Sequence, residues 1–412
     1  MRGDGQLSLL RNGPLLALGL GHAVVDLCAN TLPVFYPLLA GALGLSYGSV
    51  AALTTVQTAC SSISQPLFGW VSDRFGSRWL ASLSILSAAA ALALVGIQHS
   101  YPALLLIVAL LGLSVGAFHP QGAKTAALLG GRWRTTALSV YMVVANVGLS
   151  AGPLLAATVL MPAGLRGTAL LLIPAVPVGV LLFRALGPVD RRLVGKEAMP
   201  VGVGGAPLAR LGVAALVVTI VVRSWVEYGL LAFIPLLYAA RGETADLAGR
   251  ILFLLLIMEG TGSLVGGLLA DRVGRRPVLL VSFLLMAPLT HLFVAAPGSD
   301  AALPALAVGF LLGTPLTVTL AAAQEIVPAR MGMASGLAIS AGMIVGGVGV
   351  SLQGILADMY GLESSLGLLV AVALAAAMAS LAVAGRRRPA PKRALAGDGA
   401  AAGGQGRGGT GM

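Results

Sequence analysis

A histidine and an aspartate, His22 and Asp26, stand four residues apart inside a run of apolar residues. On a helix this spacing puts both on one face. A carboxylate beside an imidazole in a low-dielectric setting can take up, pass on and release a proton. Asp26 is therefore the first candidate for a proton carrier, with His22 as its relay. A steadying hydrogen bond in a kinked helix would explain the same pair without proton traffic. Further along, Arg223 and Glu227 repeat the spacing of four, and Glu259 stands in the next apolar run. A guanidinium clamps a phosphonate or carboxylate with two parallel hydrogen bonds, so Arg223 is a candidate anchor for an anionic substrate group. Alternatively, Arg223 and Glu227 form a permanent pair. Glu259 is a second proton candidate or the counter-ion of Arg223. His119, just before Pro120, either lines the same space or bonds a carbonyl freed by the proline. Asn30, Glu227 and His119 complete the candidate substrate contacts.

The composition says what must hold these groups. Of 412 residues, 57% are hydrophobic and 10% charged, and the mean hydropathy is +0.94. A soluble domain carries about 25% charged residues, so this chain belongs in a bilayer. About 20 apolar residues cross one. Twelve runs meet that length: 15–43, 46–72, 77–98, 102–129, 135–160, 165–186, 207–240, 245–271, 277–296, 302–323, 331–357 and 362–385. At ~1.5 Å per residue, Asp26, Arg223 and Glu259 fall near the bilayer middle. A charge there costs at least ~2.5–3.5 kcal/mol, so intramembrane ionisable groups point to function by default. The first run also holds Gly19, Gly21, Asn30, Pro33 and Pro37, too polar a set for lipid on all sides. Cys28 and Cys60 both lie in apolar runs and indicate neither a disulfide framework nor a zinc site. No cleavable leader is expected, because the first apolar run exceeds signal-peptide length.

The formal charge of +11 raises the question of nucleic acid, but the placement of the charges answers it. Of 26 Lys and Arg, 22 fall on the side of the two termini and only Arg166, Arg241 and Arg250 on the other, with Arg223 inside a span. By the positive-inside rule both termini are cytoplasmic. The basicity is a matter of topology, and no nucleic-acid partner is expected.

One short loop occurs twice. Gly69-Trp-Val-Ser-Asp73-Arg74-Phe-Gly76-Ser-Arg78 and Gly267-Leu-Leu-Ala-Asp271-Arg272-Val-Gly274-Arg275-Arg276 share the pattern G-x-x-x-D-R-x-G-x-R at an offset of 198 residues. A repeat this long is a duplicated domain, since solenoid periods run roughly 20–50 residues. Asp73 can pair with an arginine or face a helix N-terminus. Both copies resemble the loop motif of the major facilitator superfamily. That resemblance implies an all-α membrane protein with twelve transmembrane helices in two six-helix bundles. The boundaries are a lead at 1–14, a bundle at 15–186, a Gly/Pro/charge-rich cytoplasmic linker at 187–206, a bundle at 207–385 and a disordered tail at 386–412. Gating of the cytoplasmic side is assigned to Asp73, Arg74, Arg78, Asp271, Arg272, Arg275, Glu325 and Arg330.

Three stretches resemble the fosmidomycin resistance family within that superfamily: His22-Ala-Val-Val-Asp26 with Leu32-Pro-Val-Phe-Tyr36-Pro37, Phe118-His119-Pro120, and Ala323-Gln324-Glu325 through Leu337. This chain departs from the family at Val25, Gln121 and Lys124, where Asn, Glu and Arg are usual. Gly148-Leu-Ser-Ala-Gly152-Pro153 resembles the antiporter motif of drug–proton exchangers. Physically it marks a pliable, close-packed helix in which Pro153 removes a backbone bond; an ordinary kink is the alternative.

The expectation is thus a secondary transporter of the bacterial inner membrane, functional as a monomer. Its partners are a small molecule, protons and the lipid bilayer. It would export an amphiphilic or anionic compound such as an antibiotic in exchange for protons. A proton symporter importing an organic acid is the alternative, with a membrane-embedded enzyme or a non-transporting sensor more remote. No cofactor and no metal are expected. The segment from Gly116 to Thr125 misses the phosphate-binding loop spacing by one residue and lies within a span.

Overall fold

The computed structural model describes residues 11–193, 210–326 and 331–383. Long apolar runs in a bilayer must satisfy every backbone group internally, which leaves helices. Thirteen α-helices are found among the described residues: α1 (Gly13–Thr31), α2 (Tyr36–Leu43), α3 (Tyr47–Phe75), α4 (Arg78–Val95), α5 (Tyr101–Gly130), α6 (Arg134–Leu155), α7 (Leu172–Leu193), α8 (Arg210–Ala240), α9 (Ala245–Val273), α10 (Arg275–Ala295), α11 (Ala302–Ile326), α12 (Met331–Tyr360) and α13 (Leu362–Ser380). Ten segments among the described residues are long and apolar enough to cross a membrane. Two departures explain why this is not twelve. The α3 helix is as long as its neighbours but rich in Ser and Thr, and the runs expected at 135–160 and 165–186 form one stretch, Thr136–Asp190.

The first span was expected as one helix over 15–43 and is instead broken. Pro33 and Pro37 lack the N–H that would continue the ladder, and a 3₁₀ turn at Leu32–Phe35 separates α1 from α2. The linker expected from 187 begins later, because α7 runs on to Leu193. The tail at 386–412, the lead up to Leu10 and residues 194–209 lie outside the described residues.

The sequence repeat is also a repeat of backbone geometry. Gly76 and Gly274 close α3 and α9 with φ of 86° and 94°, a region that side-chain-bearing residues rarely enter. Ser46 caps α3 by accepting from Ser49 N, and Thr244 caps α9 by accepting from Leu247 N. Each pair is separated by the same 198 residues as the loop motifs (46 to 244, 76 to 274).

Within the first half α1 packs on α6 and α3 on α5; within the second, α9 packs on α11 and α8 on α12. The halves meet where α3 crosses α12 and where α6 crosses α9. Gly148 and Gly152 bring α6 against the α1 backbone: a Cβ on Gly152 would lie 2.9 Å from Leu27 O, and one on Gly148 would collide with Ala23. After Pro153 the helix widens into a π turn at Ala156–Leu160. Irregular turns follow, kinked at Gly164 (φ 62°).

At the end of the bundle remote from the loop motifs, a carboxylate ties the halves together. Asp358, near the end of α12, accepts from Tyr47 N at 2.7 Å and Gly48 N at 2.9 Å. It thus caps the positive N-terminus of α3 across the interface. About two turns further in, the Thr55 hydroxyl bonds Gly347 O and Ser351 Oγ. Asp358→Ala is expected to weaken this closure by about 1 kcal/mol, roughly fivefold in the balance of states. Spin labels at the remote ends of α3 and α12 should then report a larger separated population. An unchanged distance distribution would show that the contact holds nothing closed.

Candidate functional site

Where α1, α3, α5 and α8 converge there is a cavity of about 210 Å³ between the halves. Asp26, Asn30 and His119 line it from the first half, and Glu227 and Tyr228 from the second. The first span breaks beside it at Leu32–Phe35, and Gly148 and Gly152 set how close α6 can lie to α1.

On the first-half wall, three titratable side chains meet. His22 Nε2 lies 3.3 Å from Asp26 Oδ2 and 3.1 Å from His119 Nδ1, and His119 Nε2 lies 3.7 Å from Asp26 Oδ1. His22 Nε2 is the shared atom. Protonated, it donates to Asp26 or His119; unprotonated, it accepts from either. The His22 ring is held by stacking on Tyr141, with centroids 4.4 Å apart, and by Phe118 at 5.6 Å. Its other nitrogen, Nδ1, is buried without a hydrogen-bond partner among the described residues. Asn30 Nδ2 donates to Asp26 O at 3.0 Å, a bond back along its own helix.

The second half supplies a triad behind the opposite wall. Arg223 bonds Glu227 at 2.9 Å, pairs with Glu259, and donates from Nε to Leu312 O at 2.9 Å. Every nitrogen of the guanidinium is therefore engaged. This corrects one expectation: Arg223 and Glu259 do not line the cavity, whereas Glu227, a candidate substrate contact, does. The spacing of four that allowed an Arg223–Glu227 pair has produced one. Glu259 Oε2 has no hydrogen-bond partner among the described residues.

All four charged groups are buried: Asp26, Arg223, Glu227 and Glu259 are each below 9% exposed. The buried set holds three carboxylates and one guanidinium: Glu227 and Glu259 pair with Arg223, and Asp26 stands beside His22 and His119. Fully ionised, the set carries two uncompensated negative charges, and buried charge without a partner is costly. Taking up protons or a cation relieves that cost.

The gating candidates sit at the loop-motif end, each within its own half. Asp73 pairs with Lys124 of α5, so the lysine that replaces the family's arginine keeps a cationic partner for the motif aspartate. Arg78 stacks over Phe183 at 4.8 Å, and Arg74 lies over Trp70 at 5.8 Å. Asp190 of α7 accepts from Ser77 N and Arg78 N, at 2.9 and 2.8 Å, and caps α4. Gln121, in place of the family's glutamate, is buried, with its amide placed to bond Ser77 O and Ala81 N. Asp271 and Arg275 are likewise engaged, and Arg272 is exposed. The Glu325 side chain and Arg330 lie outside the described residues.

Sequence reasoning missed the α3 contribution to the cavity. Thr54, Gln57, Thr58 and Ser61 all line it, at spacings of three, four and seven. That is one face of a helix, and the pattern was there to be read. Tyr141 was also missed, and no local signal marks it, because its contact with His22 joins two distant helices.

The chain belongs to the Major Facilitator Superfamily, whose sequence pattern matches it twice, over residues 18–258 and 216–403. It is a multi-pass membrane transporter of small molecules, not an enzyme. Within the superfamily it is similar to the fosmidomycin resistance protein of Escherichia coli K12, at 29% identity over 360 residues, covering 85% of this chain and 88% of that one. A transporter of Bacillus subtilis strain 168 without an assigned substrate is 28% identical over 362 residues, with the same coverage. A bacterial homologue of the human lysosomal transporter Spinster, solved facing inward and occupied, shares the fold with a TM-score of 0.72. It is 17% identical, covering 89% of this chain and 96% of that one.

Proposed function

We propose that this transporter exports a small amphiphilic or anionic compound from the bacterial cytoplasm in exchange for protons. The observation that carries the coupling is the excess of buried carboxylates around a cavity shared by both halves. A proton bound at Asp26, on the cavity wall, removes one of the uncompensated charges, and His22 and His119 pass it on. Substrate and proton then alternate because they meet in one 210 Å³ space. Export is favoured by the likeness to a protein named for fosmidomycin resistance.

In this reading the chain crosses the inner membrane twelve times, with both termini cytoplasmic, and works as a monomer. The cationic asymmetry of its loops supports that orientation. The Asp358 cap and the Thr55 bonds then lie on the outer side, and the halves rock about the central cavity to open either face.

The Arg223 geometry favours a second reading. Its guanidinium is released for an anion only when Glu227 or Glu259 gives up its share, which a proton on either would bring about. Proton and anion would then bind together, as in an importing symporter of an organic acid. Inside-out vesicles separate the two readings, with fosmidomycin and simple carboxylates as first probes. Accumulation driven by an acid interior means exchange and export. No accumulation in inside-out vesicles with an acid interior, together with uptake into right-side-out vesicles energised by outside acid, means symport.

A further inference from the structure

We propose that His22, Asp26 and His119 form a binding site for a divalent transition-metal ion at the cavity wall. The inference rests on the reading of Asp26 as the ion-carrying group of the cavity and extends it from protons to metal cations.

The geometry is that of a ligand set. One donor atom from each residue lies within 4.8 Å of the others. Zinc binds histidine nitrogen and carboxylate oxygen at about 2.0–2.2 Å, so neighbouring donors in a tetrahedral shell stand about 3.3–3.5 Å apart. The separation of His22 Nε2 from Asp26 Oδ2, 3.3 Å, already has that value. His119 presents Nδ1 at 3.1 Å from His22 Nε2 and Nε2 at 3.7 Å from Asp26 Oδ1, so a modest turn of its ring brings one of these nitrogens to the ion. Two imidazoles and one carboxylate suit zinc, cobalt or nickel; magnesium and calcium prefer shells of oxygen.

The surroundings agree. Asp26 and His119 line the cavity, so three protein ligands leave open positions toward its water or a bound solute. His22 is fixed between Tyr141 and Phe118, which holds one ligand in place before any ion arrives. Two buried carboxylates, Asp26 and Glu227, line the cavity, and the guanidinium behind it is shared by Glu227 and Glu259, so a dication enters a region already short of positive charge. A bound ion occupies the carboxylate that carries the proton, and transport should stop while it stays.

The test uses purified, tag-free protein in detergent, titrated with Co²⁺ by visible absorption and with Zn²⁺ by calorimetry. The chain has four histidines, His22, His99, His119 and His291, which supplies an internal control. Wild type should bind one ion per chain, His119→Gln should weaken binding at least about tenfold, and the His99→Gln/His291→Gln double variant should bind as wild type does. His119 is the decisive position, because its side chain is 29% exposed and tolerates replacement better than buried His22. Equal binding by wild type and His119→Gln, or no binding by wild type, overturns the metal site. Neither result touches the transport reading, which is decided by flux through Asp26 variants.

Discussion

Replacement of Asp26 by Asn is expected to reduce gradient-driven transport to the level of empty proteoliposomes while leaving counterflow exchange comparable to wild type. The reason lies in what the substitution keeps. Asparagine preserves size and the bond that Asn30 makes to the Asp26 carbonyl, so the wall of the cavity stands. It removes the one acid that lines the first-half wall of that cavity among the described residues. Exchange of substrate for substrate needs the cavity and the rocking of the halves but no net proton movement, so it survives. Concentrative transport needs the proton. Full gradient-driven activity in Asp26→Asn would remove Asp26 as carrier and leave Glu227 or Glu259 to take its place.

The second large effect is at Arg223. Removing one member of a buried ion pair costs about 3–5 kcal/mol, because the partner is left as bare charge. Arg223→Ala strands two carboxylates, so little folded protein should be recovered by size-exclusion chromatography. Neutralising the whole triad tells folding from function. An Arg223→Gln/Glu227→Gln/Glu259→Gln variant carries no stranded charge, and burying neutral isosteres is often tolerated as well as the ions. It should regain folded yield yet fail to transport anions under a gradient. Wild-type yield and anion transport in Arg223→Ala would mean that the guanidinium is neither structural nor functional.

Much of this arrangement was legible before any coordinates. The duplicated loop marked two halves, and the same offset reappears in matched caps and matched positive-φ glycines, because duplication copies local backbone chemistry along with sequence. The His22–Asp26 face followed from a spacing of four on a helix, and the same spacing offered the Arg223–Glu227 pair as the alternative to a free anion anchor. What lay beyond reach was which helices face each other. Glu259 was weighed as the counter-ion of Arg223 and His119 as lining the same space, but nothing near His22 in the chain announces Tyr141, and nothing near Arg223 announces that Leu312 takes up its Nε. Those contacts are set by packing between elements remote in sequence. The 3₁₀ break after α1 was signalled by Pro33 and Pro37, but prolines are common in membrane helices and kink, break or leave them according to their neighbours.

The claim on which the rest depends is that charged residues from two homologous halves share one water-filled gap. Thiol accessibility tests it directly. With Cys28 and Cys60 replaced, single cysteines are placed at Ala29 in the first half and Leu231 in the second, both on the cavity wall, and at Leu285 on the outer face of α10 as a lipid-side control. A membrane-impermeant maleimide should modify Ala29→Cys and Leu231→Cys from the same side of the membrane, while Leu285→Cys stays unmodified. Labelling of neither wall position, or of the two only from opposite sides, would contradict a common cavity and the coupling built on it.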